Sequence, residues 1–586
     1  MQTVKQQHQS AFELIPTVDG KVTSRLFWLI KRPVERLFQL DKLSEFYEEL
    51  VDSEDPRHLF ERALEALDVD YRATARDIAR IPKTGPVVVV ANHPFGAVEG
   101  IILFCLLRSV RPDVMLLANS LLCRIRELED VTIPVNPFGT PDAPRSNVRG
   151  LKRAVEFLRN RGMLVVFPAG EVAHLNVRER AITDPRWSNT VGKLIRITGA
   201  SVVPVYFAGS NGTAFQIAGL LHPRLRTAML PHELLNKRGR RIDVRIGVPI
   251  RHRRLAELDD DDKVTAYLRK RTYLLRRRTP VESPVSDEAR LLEPVARPTP
   301  GELLNQEIEA LREQNTLVVQ GEYEVFYTNA WKSPHVLKEI GRQREIAFRA
   351  AGEGSGKSRD LDEFDAYYIH LFVWNRHAHE LVGAYRVGST ADVLGKMGRS
   401  GLYTSTLFEY DDSFLHKLGP SMELGRAFVR AEYQRSFSPL MLLWQGIGKL
   451  LARNPQCETL FGAVSVSNSY SSASRGLMVE FLKERHYNQQ LGSMVKARIP
   501  FVPMAGEFEV RPRDIEELSD VVSDLEADGK GLPVLLRQYL RLNAEVLSFN
   551  RDPHFGDSLD GLIVVRLSRV DPRTLERVAG ISVSAS

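Results

Sequence analysis

Along the first half of the chain, short runs of consecutive apolar residues alternate with segments in which apolar positions recur every three or four residues. Val87–Val90, Met163–Phe167 and Val202–Phe207 read as buried strands. Leu151–Arg159 (LKRAVEFLR) reads as a helix, with Ser146 or Asn147 as its N-cap. Strand–helix–strand alternation predicts an α/β layered domain. Pro280, Pro284, Pro294, Pro298 and Pro300 then crowd residues 279–301, which reads as an extended linker. Beyond it, Leu371–Trp374, Leu381–Arg386 and Thr459–Ser467 read as strands and Leu440–Leu451 as a helix, a second α/β unit. The expected division is 1–278, linker 279–301, and 302–586. Residues 21–49 mix Phe27, Trp28, Leu29 and Ile30 with Lys31, Arg32 and Arg36. They suit either an amphipathic segment lying on a membrane or a helix capping the first domain.

Composition narrows the class. Of 586 residues, 43% are apolar and 26% charged, a globular balance. Three cysteines, Cys105, Cys123 and Cys457, are too few and scattered for a disulfide framework or zinc cluster, which fits a reducing compartment. No apolar run approaches the ~20 residues needed to span a bilayer, and the start MQTVKQQHQS has no secretory pattern. The expectation is a cytoplasmic protein. Charge is uneven: residues 1–300 carry 47 Lys and Arg against 36 Asp and Glu, while the remainder is net acidic. The cluster KRGRRIDVRIGVPIRHRR (237–254) lacks interleaved aromatics for base stacking, so an anionic membrane surface or an acidic carrier fits better than nucleic acid.

Candidate chemistry begins in VVVVANHPFGAVEG (87–100), where His93 follows a buried strand. Catalytic groups emerge at strand ends in open α/β sheets, and an imidazole can take a proton from an alcohol near neutral pH. Gly96 permits a tight turn that returns Glu99 to the ring, where its carboxylate would fix the tautomer. A hydrogen-bonded structural histidine is the alternative. Asn92–His93, then FPAGE (Phe167–Glu171), then VVPVYFAG (Val202–Gly209), together resemble the glycerolphosphate/lysophospholipid acyltransferase family over about 70–255. That resemblance implies that His93 deprotonates an acceptor hydroxyl that attacks an acyl thioester. It also implies that Asn92, Gly170 and Glu171 bind the acceptor. The chain departs from the family pattern: the acid falls six residues after His93, and Ala169 replaces the usual Glu of the third block.

In the second half, Arg and acidic residues recur at strand and helix ends: Arg344, Asp362, Asp365, Arg386, Glu423 and Arg426. They read as a paired network that is either structural or substrate-binding. The order Arg344–Phe348, Asp362–Asp365, Gly383–Arg386 and Glu423–Arg426 resembles the acyl-homoserine-lactone synthases, on the GNAT fold. It is more similar still to ornithine-lipid N-acyltransferases and related "hemolysin-like" GNAT proteins, over about 320–475 and weakly to 556. The resemblance implies acyl transfer to an amino acid amine, with Glu423 as base. Arg344, Phe348, Asp362, Asp365, Arg386 and Arg426 would then bind substrate. The stretch YQRSFSPLMLL lacks the paired glycines that cradle the CoA pyrophosphate in standard GNAT domains. Arg430, Arg435, Ser436 and Ser438 can still hold the single phosphate of a phosphopantetheine arm, favouring acyl carrier protein over acyl-CoA as donor.

Together the two halves resemble bifunctional ornithine-lipid synthases. The expected fold is two α/β acyltransferase domains, glycerolphosphate acyltransferase-like then GNAT-like, joined by the Pro-rich linker. The expected function is N-acylation of ornithine from 3-hydroxyacyl carrier protein, then O-acylation of the lyso-lipid hydroxyl, with no metal or redox cofactor, at the cytoplasmic membrane surface. Other readings are a glycine, serine or lysine acceptor, a lysophospholipid acyltransferase bearing a carrier-binding module, and a membrane-active hemolysin-like protein.

Overall fold

The computed structural model describes residues 40–50, 56–119, 126–135, 143–177, 180–278, 292–435, 438–503 and 508–580. Two compact units divide the chain between Arg278 and Thr279.

Nine strands lie in the described part of the first unit: β1 (Asp70–Arg72), β2 (Val87–Ala91), β3 (Val114–Asn119), β4 (Thr132–Val135), β5 (Met163–Val166), β6 (His174–Asn176), β7 (Ala181–Thr183), β8 (Ser201–Phe207) and β9 (Arg241–Ile246). β6 and β7 form a hairpin, and the other seven make one sheet in the order β1-β9-β8-β2-β5-β3-β4. β2 is central and runs parallel to both β5 and β8. Its side chains alternate between two cores. Val87, Val89 and Ala91 pack with Phe104 and Leu107 of helix α1 (Ala97–Arg108), whereas Val88 and Val90 face Ala154 and Leu158 of helix α2 (Ala143–Arg159). Burial on both faces is why this strand reads as an unbroken valine run.

α2 begins at Ala143, so Ser146 and Asn147 lie inside the helix and do not cap it. Of the proposed surface segment, residues 21–39 lie outside the described residues, and Leu40–Leu50 is helical.

In the second unit eight strands form a sheet: β10 (Thr316–Gln320), β11 (Tyr323–Thr328), β12 (Ile369–Asn375), β13 (Glu380–Ser389), β15 (Ser421–Val429), β16 (Thr459–Val466), β18 (Glu545–Asp552) and β19 (Ser558–Arg566). β14 (Phe408–Tyr410) and β17 (Val495–Ala497) pair separately. The order is β10-β11-β12-β13-β15-β16-β19-β18, with helices α3 (Pro334–Ala350) and α4 (Ser438–Ala452) packed on it.

The one parallel pair in this sheet, β15 with β16, is joined only from Ser421–Glu423 to Thr459–Phe461. A Cβ on Gly462 would fall 2.0 Å from the Leu424 carbonyl oxygen, so glycine is what lets the two backbones meet there. Beyond that contact β15 stays on β13 and β16 stays on β19, and a cavity opens between them.

The proline-rich segment is only partly a linker. Residues 279–291 lie outside the described residues, but the stretch from Glu293 is docked on the second unit. Glu293 N donates to Gly356 O (2.9 Å), Ala296 N to Ser358 O (3.0 Å), and Thr299 N to Glu339 Oε2 (3.1 Å). Proline fixes an extended backbone, and that backbone still has donors to give at the residues between the prolines.

Candidate active sites

The turn after β2 places His93 at the carboxyl end of the central parallel strand. Its ring stacks on Phe167 at the end of β5, with centroids 4.5 Å apart. Gly96, at φ +117°, makes the bend that starts α1. Glu99 lies in the first turn of α1, fully buried, and its Oε1 accepts from the backbone N–H groups of Phe95 and Gly96. The same oxygen stands 3.4 Å from His93 Nδ1, a charge contact without hydrogen-bond alignment. Burial by itself pushes the imidazole pKa down, but the Glu99 carboxylate, with Asp184 behind it, outweighs this and the net shift is upward from 6.5.

Asp184 was not foreseen. It is 91 residues from His93, yet its Oδ1 accepts the His93 backbone N–H at 3.0 Å and its Oδ2 accepts Trp187 Nε1 at 2.9 Å. Burial raises its own pKa. It fixes the backbone that carries the imidazole.

Three expected acceptor-binding residues are placed differently. Asn92 is buried, and its amide makes a reciprocal pair with Phe207, donating to O (3.0 Å) and accepting from N (2.7 Å). It ties the end of β2 to β8. Gly170, at φ +67°, shapes the turn after β5. Glu171 is half-exposed and pairs with buried Arg226. Within the basic cluster, Lys237 is buried against Glu233 at 2.9 Å, Arg241 pairs with Asp70, and Arg245 caps the carbonyls of Leu275, Arg276 and Arg278. Those three cations hold the fold.

One face beside His93 is apolar and exposed. Ala173 N donates to His93 O at 2.7 Å, and Leu175 N donates to Gln216 Oε1 at 2.9 Å. Gln216 belongs to the helix Thr213–Leu221, which leaves Ile217, Leu220 and Leu221 in solvent, the last 74% exposed.

The second unit gathers its arginines as a network. Arg344 on α3 is buried between Asp360 and Asp365, with Nη2 2.8 Å from Asp365 Oδ2 and Nε 2.9 Å from Asp360 Oδ2. Arg386 on β13 contacts Asp362 and Asp365 and lies over the rings of Phe364, Tyr368 and Tyr403. Arg426 reaches Asp360 and Asp362 at 3.4 and 3.6 Å and lies over Tyr403 and Phe555. Asp360 was the member missed; it immediately precedes LDEFD. Each buried charge here has an opposite partner, as the desolvation cost of burial demands.

Arg426 differs from the other two arginines. It occupies a bulge of β15 opposite β13, at φ +52°, a conformation costing a non-glycine residue about 1–3 kcal/mol. The bulge turns Arg426 into the cavity between β15 and β16, whose walls also include Phe348, Tyr385, Tyr403, Ser465 and Asp560. Among the described residues its Nε has no hydrogen-bond partner.

Glu423 does not line that cavity. It is buried and accepts from Tyr368 Oη and from the backbone N–H groups of Tyr403 and Thr404; burial first, and then the Glu423 charge, hold the Tyr368 hydroxyl protonated far above its usual range. Its place is to fix the turn that carries Tyr403. Just after β15, Arg430 pairs with Glu380 at 3.0 Å and Arg435 is exposed. Ser438 starts α4, and Ser436 lies outside the described residues.

Comparison with known proteins matches these two geometries to two family models. Residues 32–280 match an acyltransferase family, and residues 343–445 match the acetyltransferase (GNAT) domain. A glycine N(alpha)-acyltransferase of Bacteroides thetaiotaomicron is 31% identical over 297 residues, covering 48% of this chain and 87% of that protein. A lyso-glycine lipid O-acyltransferase of Phocaeicola vulgatus is 30% identical over 191 residues, covering 31% of this chain and 65% of that protein. The crystal structure of the 1-acyl-sn-glycerophosphate (LPA) acyltransferase PlsC from Thermotoga maritima aligns with 44% of this chain and 98% of that one, at 15% identity and a TM-score of 0.26.

Proposed function

We propose that this chain, which belongs to the acyltransferase family of those bacterial glycine N-acyltransferases, makes a diacylated amino lipid by two successive transfers. The GNAT unit acylates the α-amine of an amino acid with a 3-hydroxyacyl group. The first unit then acylates the hydroxyl of that product. The observation that carries the reading is the presence in one chain of both acyltransferase domains, each with its own buried polar site.

In the first unit, neutral His93 takes the proton of the attacking hydroxyl through Nε2 while Glu99 faces Nδ1. In the GNAT unit, Arg426 faces the cavity and binds the amino acid carboxylate, the group a guanidinium fork suits. The amino acid is ornithine on this reading, because the cavity side of Arg426 carries more carboxylates than a single ammonium requires: Asp552 and Glu353 both act on Asp560. Glycine, the acceptor in the relatives' names, is the competing substrate. The donor is acyl carrier protein, supported by the missing glycines of YQRSFSPLMLL. The membrane surface is met by the apolar face of Ile217, Leu220 and Leu221, one hydrogen-bonded strand away from His93. No described helix is long and apolar enough to cross a bilayer.

Lipid mass spectrometry of cells expressing the whole chain tests the reading, with a diacylated ornithine lipid expected. A glycine lipid would correct the acceptor alone. Absence of any N-acylated amino acid, with the protein folded and acyl donor present, would overturn the reading.

A further inference from the structure

The Arg–Asp network balances its buried charges, but one buried carboxylate of the second unit is left over. Asp560 stands on β19, 4% exposed, opposite Ser465 on β16 and Asn550 on β18. Its Oδ1 accepts from the Ser558 hydroxyl at 3.4 Å, and among the described residues its Oδ2 has no hydrogen-bond partner. It lines the same cavity as Arg426. Glu353, in the loop after α3, is joined to that wall by Ser465 Oγ, which donates to Glu353 Oε2 at 3.1 Å. A buried carboxylate with one oxygen unbonded is costly unless it is neutral or awaits a ligand. A cation and a carboxylate with one oxygen unbonded, lining the same cavity, match a zwitterion.

We propose that Asp560 receives the α-ammonium of the amino acid acceptor and takes its proton, while Arg426 holds the α-carboxylate. This rests on the reading of the second unit as an amino acid N-acyltransferase. The ammonium gives one proton to Asp560. The freed amine attacks the thioester carbonyl, forming the C–N bond. The intermediate collapses with cleavage of C–S, and the second nitrogen proton goes to the leaving thiolate, giving amide and thiol. The proton on Asp560 returns to water.

The surroundings suit that task. Burial, with Asp552 and Glu353 adding to it and Arg426 opposing, pushes the Asp560 carboxyl up to about 8. Burial likewise pushes Glu353 up to about 7 against the Ser465 bond and Arg426. Tyr385, Tyr403 and Tyr539 also line the cavity; burial holds Tyr403 and Tyr539 up at about 12 and raises Tyr385 as well, so all three are protonated. An ordinary carboxylate is a poor base toward an ammonium; one raised by several units is closer to the match that general-base catalysis requires.

The test uses the full chain, 3-hydroxyacyl carrier protein, and ornithine or glycine, measuring amide formation from pH 6 to 10. Wild type should show a rate that rises with pH. Asp560→Asn should lose about 10²–10⁴-fold at pH 7, and the deficit should shrink as pH rises and solvent deprotonates the amine. Glu353→Gln should move the acid limb to lower pH, because it removes a negative neighbour of Asp560. A folded Asp560→Asn protein within threefold of wild type at pH 7, or an equal deficit at every pH, overturns the assignment. If Asp560→Asn fails to fold, an unmoved limb in Glu353→Gln overturns it instead. Wild-type protein that acylates no amino acid would defeat the underlying reading of the unit, an outcome distinct from either.

Discussion

Replacing Glu99 by glutamine isolates one charge in the first unit. The amide oxygen of glutamine can still accept from Phe95 and Gly96, so the turn that opens α1 keeps its two hydrogen bonds. What disappears is a negative charge 3.4 Å from His93 Nδ1. At an effective dielectric near 20, that contact is worth at most roughly 5 kcal/mol. The two N–H donors and burial cancel much of it, and an opposite charge at this range typically moves a pKa by about 1–3 units. The sign is fixed. Glu99 raises the imidazole pKa, and only neutral imidazole serves as base, so wild-type O-acyl transfer should fall as pH drops through a value above 6.5. Glu99→Gln should carry that acid limb downward by about one to two pH units. It should also lose about 10²-fold at the optimum, because the ring is no longer oriented. The assay is transfer of labelled acyl groups to an N-(3-hydroxyacyl) amino acid across pH 5–9. An acid limb that stays in place, or moves up, would refute the account of the pair.

His93→Ala should block only the second acylation, by roughly 10²–10⁴-fold, leaving cells rich in the monoacylated amino lipid; normal levels of the diacylated lipid would exclude His93 as base. Arg426→Lys should raise the KM for the amino acid more than it lowers kcat, because an ammonium cannot reproduce a two-pronged carboxylate contact. Arg344→Met should cost about 3–5 kcal/mol in denaturant unfolding, since Asp360 and Asp365 would be left buried without it. Leu220→Asp with Leu221→Asp should weaken sedimentation with anionic vesicles at high salt, where charge attraction is screened. A shortened chain beginning at Leu292 should be more stable than one beginning at Pro300 by about 2–4 kcal/mol, since the latter loses the docked hydrogen bonds of Glu293, Ala296 and Thr299.

What was legible in the sequence was local. The β2 strand announced itself by four valines, and His93, Gly96 and Glu99 are close enough in sequence for one turn to join them. The strands and helix of the GNAT unit followed from the same apolar runs. Asp184 was illegible because it reaches His93 across 91 residues, and a lone Asp before Pro185 carries no pattern. The structural tie of Asn92 was hidden for a related reason: its partner is the backbone of Phe207, and backbone groups leave no mark in sequence. Glu423 shows a different failure. In a strand, residues an odd number apart face opposite sides, so the spacing of three already separates Glu423 from Arg426. What spacing could not say is which side holds the cavity, or that Glu423 meets Tyr368 and Thr404. Asp560 lies in SLDGLIVVR, an apolar strand in which the one acid reads as an edge residue until β16 and β18 are seen on both sides of it.

The distribution of charge in the second unit separates its scaffold from its chemistry. Three arginines and three aspartates, Arg344, Arg386, Arg426 and Asp360, Asp362, Asp365, neutralise one another around the turn that carries Tyr403. Such a cluster is costly to bury and rigid once satisfied, so it fixes Arg426 at a strained bulge that no helix or strand would hold by itself. By contrast, Asp560 and Glu353 are opposed by Arg426 and by the hydroxyls of Ser558 and Ser465. An entering zwitterion completes this arrangement at both ends. Acylation then converts its ammonium into a neutral amide, which removes the attraction to Asp560 and leaves the carboxylate contact alone. On the proposed reading, the same asymmetry that captures the amino acid therefore favours release of the N-acyl product, and the grip is lost at the step where the chemistry is complete.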